Sequence, residues 1–227
     1  MMVGRRHDPR VARLGGTVLL GVWLMEAMYW VIRAPGRLLA RFEVNPDTLT
    51  WTSLVLTVLS APVAASGHFS TAGLIFLVGS VFDALDGMVA RETKTAKRSG
   101  AVLDSVLDRY ADAAPMVGLA VFYRFSMWQM LIPLAALVGS QLVSYVRAKA
   151  EAMGVDLPST LMRRHERIAY IVAALVIAPM LSPLLGSPAG AVHPATLILV
   201  GLVALVANAV AFRQLGFARR ELDARDA

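Results

Sequence analysis

The 227-residue chain is 57% hydrophobic and 17% charged, with a formal net charge of +6 and no cysteine. Soluble domains carry about 45–50% apolar and about 25% charged residues, so this composition excludes an ordinary soluble globule and places the chain in a bilayer. The missing cysteine excludes a disulfide framework and thiol chemistry, and basic residues scattered between apolar runs argue against nucleic acid as a partner.

The first apolar stretch, residues 17–32 (TVLLGVWLMEAMYWVI), is short for a crossing and is interrupted by Glu26. Trp23, Tyr29 and Trp30 suit the headgroup level, so the stretch reads as an interfacial amphipathic helix. No small-residue cleavage site follows it, which disfavours a signal peptide. Next comes Asn45-Pro46-Asp47-Thr48, a helix start with proline in the first turn and Asp47 and Thr48 as capping groups. Six apolar runs of spanning length follow, at about 48–66, 71–90, 101–123, 127–148, 167–186 and 194–213. Turn residues punctuate them: Ser66-Gly67-His68, Arg124-Phe125-Ser126 and the stretch GSPAGAVHP. The expected fold is all-α, an integral membrane bundle of six transmembrane helices preceded by an interfacial amphipathic helix. Residues 1–44 are expected as the cytoplasmic N-terminus with that helix, 45–215 as the transmembrane domain and 216–227 as a cytoplasmic tail.

Arginine and lysine set the orientation. If the segment before the first span is cytoplasmic, the clusters Arg5 to Arg41, Arg91 to Arg98, Arg147 to Arg167 and Arg213 to Arg225 all lie inside. Only Arg124 falls in an outer loop. Cytoplasmic loops carry the excess of basic residues, so both termini are expected at the cytoplasmic face of the cell membrane.

Four carboxylates interrupt this apolar pattern. Asp83 and Asp86 are three residues apart at the cytoplasmic end of the second span, and Asp104 and Asp108 are four apart at the start of the third. Each pair shares a helix face, and a short basic loop makes the two pairs face each other. A charge at membrane depth costs about 2.5–3.5 kcal/mol by insertion scales, so a function must offset four of them. Clustered carboxylate oxygens select magnesium or manganese over zinc, and a two-metal arrangement suits displacement at phosphorus. Gly87 and Gly100 beside the acids would let a bulky ligand approach the backbone; Ala90 keeps the same wall small, and Arg91 can reach a diphosphate.

The run Asp83-x2-Asp86-Gly87-x2-Ala90-Arg91-x8-Gly100-x3-Asp104-x3-Asp108 resembles, without gap or substitution, the signature of the CDP-alcohol phosphotransferase family. The resemblance implies a six-helix membrane fold and transfer of a phosphatidyl group from CDP-diacylglycerol to an alcohol, with release of CMP. It implies two Mg2+ ions, or Mn2+, held by Asp83, Asp86, Asp104 and Asp108, with Asp108 also the catalytic base. It implies donor contacts at Asn45, Pro46, Asp47, Thr48, Gly87, Ala90, Arg91, Lys97 and Gly100, and it suggests a homodimer. Asp112 lies outside the signature on the same face as Asp108, as an acceptor of hydrogen bonds or a partner of Arg109, and not as a ligand.

For the acceptor, Arg147-Ala148-Lys149-Ala150-Glu151 and Arg164-His165-Glu166-Arg167 resemble the corresponding stretch of the phosphatidylinositol phosphate synthases. Two positions depart from that pattern: His165 replaces a proline and Arg147 a lysine. A phosphorylated polyol is a dianion and wants guanidinium forks, so Arg147, Arg164, Arg167 and Arg213 are the acceptor candidates and inositol 1-phosphate the expected acceptor. Glycerol 3-phosphate would explain the arginines equally well. A membrane ion carrier is the alternative of a different class, but it calls for acids distributed across the membrane, and these all sit at one depth.

Overall fold

The computed structural model describes residues 22–95, 97–158, 161–181 and 193–226, and every regular element among them is helical. The elements are α1 (Val22–Arg41), α2 (Pro46–Ala65), α3 (Phe69–Glu92), α4 (Arg98–Phe122), α5 (Met127–Ala152), α6 (Arg164–Val172), α7 (Ala178–Leu181) and α8 (Pro194–Asp226). A π-helical turn, Ala173–Ile177, joins α6 to α7.

Helix α2 starts where the proline predicts, but a different residue caps it. Asn45 has an extended backbone and its side-chain oxygen accepts the Asp47 N–H at 3.0 Å. Pro46 needs no N–H partner and fits the first helical position, so Asp47 and Thr48 fall inside the first turn and not at the cap.

Small residues bring the helices together. Gly79 of α3 lies against Thr57 of α2, where an added Cβ would stand 2.6 Å from the threonine methyl. Gly118 of α4 lies against Ala61 and Ala64 of α2 with as little room. Such contacts drive helix association where water offers no hydrophobic difference. The main core gathers Phe69, Phe76, Met116, Leu119, Leu175 and Val200 from α3, α4, the π turn and α8. Val55, Leu59, Leu74, Val138, Ile198 and Leu205 face outward, as a lipid-facing surface requires.

Four of the described helices, α2, α3, α5 and α8, are long and apolar enough to cross a membrane. The expectation of six spans is therefore met in four places. Helix α4 has 25 residues, but Asp104, Asp108, Arg109 and Asp112 fall within its first fifteen. The expected fifth span is covered by α6, the π turn and α7 only as far as Leu181, and residues 182–192 lie outside the described part. Helix α1 is not among the four. It continues past the expected end at Ile32, through Pro35, to Arg41, and Ile32, Leu39 and Ala40 pack against Leu85 and Val89 of α3. The start of the expected interfacial helix, 17–21, lies outside the described residues. At the other end, α8 continues through the expected tail. Ala218 and Leu222 pack on Ala150 and Val155, and Arg225 donates to the Gly154 carbonyl at 3.1 Å.

Candidate active site

The turn after α3 brings the two acidic helices into register. The Thr95 N–H returns to the Ala90 carbonyl at 3.0 Å and the Lys94 N–H to that of Arg91 at 3.3 Å, with Lys94 in the left-handed region at φ 58°. This pairing closes a helix end and satisfies its last carbonyls.

Asp83 of α3 then stands beside Asp104 and Asp108 of α4, each offering an oxygen within 4.8 Å of the others. Asp86, expected as the fourth member, is buried and lies outside that triad. Its Oδ2 accepts the Thr50 hydroxyl at 2.6 Å, and the same hydroxyl reaches the Pro46 carbonyl at 3.1 Å. Three carboxylates this close repel one another unless a cation lies among them. Arg164 supplies one: its guanidinium donates to Asp83, lies 2.7 Å from Asp108 Oδ1, and turns Nε towards Asp112 at 3.7 Å. Hard oxygen donors in this number are a set that a divalent ion fits, and the guanidinium marks where positive charge is wanted.

Two cavities flank the cluster. The larger, about 1390 Å³, is lined by Asp86 and Asp104 together with Asn45, Pro46, Asp47, Gly87, Ala90, Arg91, Lys97 and Gly100. Every expected donor residue except Thr48 is on that wall. A Cβ added at Gly100 would meet nothing within 4 Å, and at Gly87 only the movable end of Arg91, at 3.3 Å. Unlike Gly79 and Gly118, these glycines leave space instead of closing a helix contact. The smaller cavity, about 460 Å³, is lined by Asp108, Arg109, Arg147, Arg164, His165 and Arg167 among others. Burial, and after it Arg163 and Arg167, hold the His165 pKa below its ordinary value against the pull of Glu166.

The arginines divide into three kinds. Arg164 is a quarter exposed and reaches the acids. Arg167 is buried, with its Nη atoms engaged by Asp112 at 2.7 Å, Ser144 at 3.1 Å and the Met162 carbonyl at 2.9 Å. Arg213 is exposed and stands off the smaller cavity; its neighbour Gln214, buried, lines the wall instead. Arg147 lies on that wall, 4.0 Å from Glu151. Asp112 pairs with Arg164 and Arg167, not with Arg109, whose carbonyl accepts from Gln141. Thr50, Ser144 and Gln214 were not marked by the sequence. Thr50 lies one turn after Pro46, but its partner is 36 residues away.

The apolar helices and the acid triad together define a membrane protein with a candidate divalent-ion site. The family model for CDP-alcohol phosphatidyltransferase matches residues 43–212. The chain belongs to the CDP-alcohol phosphatidyltransferase family, whose chemistry is transfer of a phosphatidyl group from CDP-diacylglycerol to an alcohol. It is 34% identical over 142 residues to a phosphatidylinositol phosphate synthase of Mycobacteroides abscessus, covering 61% of this chain and 64% of that protein. It is 30% identical over 167 residues to the Corynebacterium glutamicum phosphatidylinositol phosphate synthase, covering 71% and 76%. An archaetidylinositol phosphate synthase of Pyrococcus horikoshii is 35% identical over 140 residues, covering 61% and 73%. Among solved structures, the phosphatidylinositol phosphate synthase of Mycobacterium tuberculosis with CDP-diacylglycerol bound superposes with a TM-score of 0.70 at 27% identity, covering 83% of this chain and 93% of that one. The same synthase in complex with manganese and citrate also gives 0.70 at 27%, covering 82% and 88%.

Proposed function

We propose that the protein joins the phosphatidyl group of CDP-diacylglycerol to inositol 1-phosphate, releasing CMP, at the cytoplasmic face of the cell membrane. The observation that carries this reading is the placement of the aspartates between a large cavity that Arg91 and Lys97 line and a smaller one into which Arg164 opens. The names of the relatives, phosphatidylinositol phosphate synthases, support the choice of acceptor.

The donor's nucleotide and diphosphate occupy the larger cavity, over Gly87 and Gly100, with Arg91 and Lys97 as counter-charges. Asp83, Asp86, Asp104 and Asp108 would hold the divalent ions, magnesium or manganese, which when bound neutralise the diphosphate and the departing CMP. Manganese in the M. tuberculosis structure supports that fit. The acceptor enters from the smaller cavity with its phosphate on Arg164 and Arg147. Asp108 takes the proton of the attacking hydroxyl. The hydroxyl oxygen bonds to the phosphorus that carries diacylglycerol, the bond to CMP breaks, and CMP leaves with the electron pair. Thr50 keeps Asp86 pointed at the donor side. Six crossings, with α4 and the α6–α7 segment completing the bundle, fit the basic clusters at one face, and pairing of two chains fits the family pattern.

Glycerol 3-phosphate is the second reading, because Arg164 would serve either dianion. Steady-state kinetics of Arg164→Ala with both acceptors test the assignment. Loss of a charge-assisted contact of roughly 2–5 kcal/mol should fall on the acceptor's kcat/KM and leave the KM for CDP-diacylglycerol nearly unchanged. A loss confined to donor affinity would remove Arg164 from the acceptor site.

A further inference from the structure

We infer that Asp112 is a positioning residue, dividing its two carboxylate oxygens between Arg167 and Arg164 and so holding Arg164 against Asp83 and Asp108. This inference rests on the reading of Arg164 as the cation that meets the acceptor. Oδ2 of Asp112 lies 2.7 Å from Arg167 Nη2 and Oδ1 lies 3.7 Å from Arg164 Nε. The two arginines are three residues apart on α6, and Asp108 and Asp112 are four apart on α4. Each pair presents neighbouring side chains on one helix face. Arg164 and Arg167 therefore meet Asp108 and Asp112 in a single register, and a shift of one residue along α6 would break both contacts.

The deeper pair is anchored from every side. The Arg167 and Asp112 side chains are only 2% and 3% exposed. Arg167 also ties α4 to α5 through Ser144 and to the segment before α6 through the Met162 carbonyl. Met162 is a buried non-glycine residue at φ 67°, a conformation that persists only where its surroundings enforce it. Its carbonyl is held by Arg167. Buried ion pairs contribute little net stability compared with apolar residues of the same volume. What this one supplies is geometry. With both Nη atoms engaged and its side chain only 2% exposed, Arg167 is held in place, which separates its role from that of Arg164, a quarter exposed on the cavity wall.

The test is a double-mutant cycle in the full-length membrane enzyme, read with whichever alcohol the wild type prefers among inositol 1-phosphate, glycerol 3-phosphate and free inositol. Asp112→Asn alone should raise the acceptor KM roughly tenfold, as expected when a part-buried ion pair loses one charge, with the donor KM changed less than about twofold. In an Arg164→Ala background the same change should move the acceptor KM by less than about twofold, because the group it positions is gone. Effects that multiply as if independent would overturn the inference. Asp112→Leu combined with Arg167→Met replaces the buried pair with apolar side chains and should melt close to wild type while its acceptor KM stays high. If the KM recovers along with the melting temperature, Asp112 is structural only and the inference fails. A wild type that prefers free inositol refutes the acceptor reading, while the coupling between positions 112 and 164 is still measured.

Discussion

Thr50 donates its hydroxyl hydrogen to Asp86 Oδ2 at 2.6 Å, linking α2 to the acidic face of α3 across 36 residues of sequence. Both side chains are buried and both line the larger cavity. A hydrogen bond to a charged group contributes about 1.5–3 kcal/mol. Thr50→Val keeps the shape and removes the donor, so kcat/KM for CDP-diacylglycerol should fall by roughly ten- to a hundredfold, with more Mg2+ needed for half-maximal rate. Thr50→Ser should retain most activity. CMP release measured across a magnesium titration checks this, and an unaltered Thr50→Val enzyme would show that Asp86 needs no such anchor.

The glycines of the signature and those of the helix contacts should respond oppositely. Gly100 faces open space, whereas Gly118 faces the backbone of Ala61. Gly100→Leu should therefore abolish donor binding without lowering the melting temperature. Gly118→Ala should lower it, because overpacking a tight contact costs about 1–3 kcal/mol. Thermal melting and donor binding of the two purified variants give the comparison.

Divalent ions should bind and stabilise the folded protein before any substrate is present. A ligand held only by the native state at a hundred times its dissociation constant adds about 2.7 kcal/mol. Manganese should raise the melting temperature of the wild type and have little effect on Asp83→Asn or Asp104→Asn, whose oxygens belong to the triad. The binding itself is read from the manganese electron paramagnetic resonance signal. Equal binding by wild type and both variants would place the ions elsewhere.

The native chain has no cysteine, so single cysteines report topology directly. Thr95 lies in the turn beside the donor cavity and Phe125 in the opposite, exposed turn between α4 and α5. An impermeant thiol reagent added to intact cells should label Phe125→Cys and leave Thr95→Cys unmodified. The reverse pattern would invert the orientation deduced from the basic clusters.

How far the site was legible follows from what each residue reports locally. Asp83, Asp86, Asp104 and Asp108 stand out because carboxylates in an apolar run have no inexpensive alternative, and their helical spacing puts each pair on one face. The role of Thr50 was hidden because a threonine one turn into a helix is ordinary until the partner helix is placed beside it. Arg164, Arg167 and Arg213 read alike in sequence as guanidinium groups near a membrane face. Only tertiary packing separates them into a cavity cation, a buried anchor and an exposed charge. The same limit applies to α4. Its apolar half reads as a span, yet Asp104, Asp108, Arg109 and Asp112 interrupt its first fifteen residues, so hydropathy alone undercounts a helix whose polar part faces the site.

The most direct measurement is CMP release by the purified protein from CDP-diacylglycerol, with Mg2+ and, in separate reactions, inositol 1-phosphate, glycerol 3-phosphate or free inositol. The expected result is release that depends on inositol 1-phosphate above the other two, stops on chelation, and falls by at least roughly a thousandfold in Asp108→Asn, as for loss of a general base together with a metal ligand. Release that survives chelation, or that proceeds equally in Asp108→Asn, would contradict the catalytic role of the aspartate cluster.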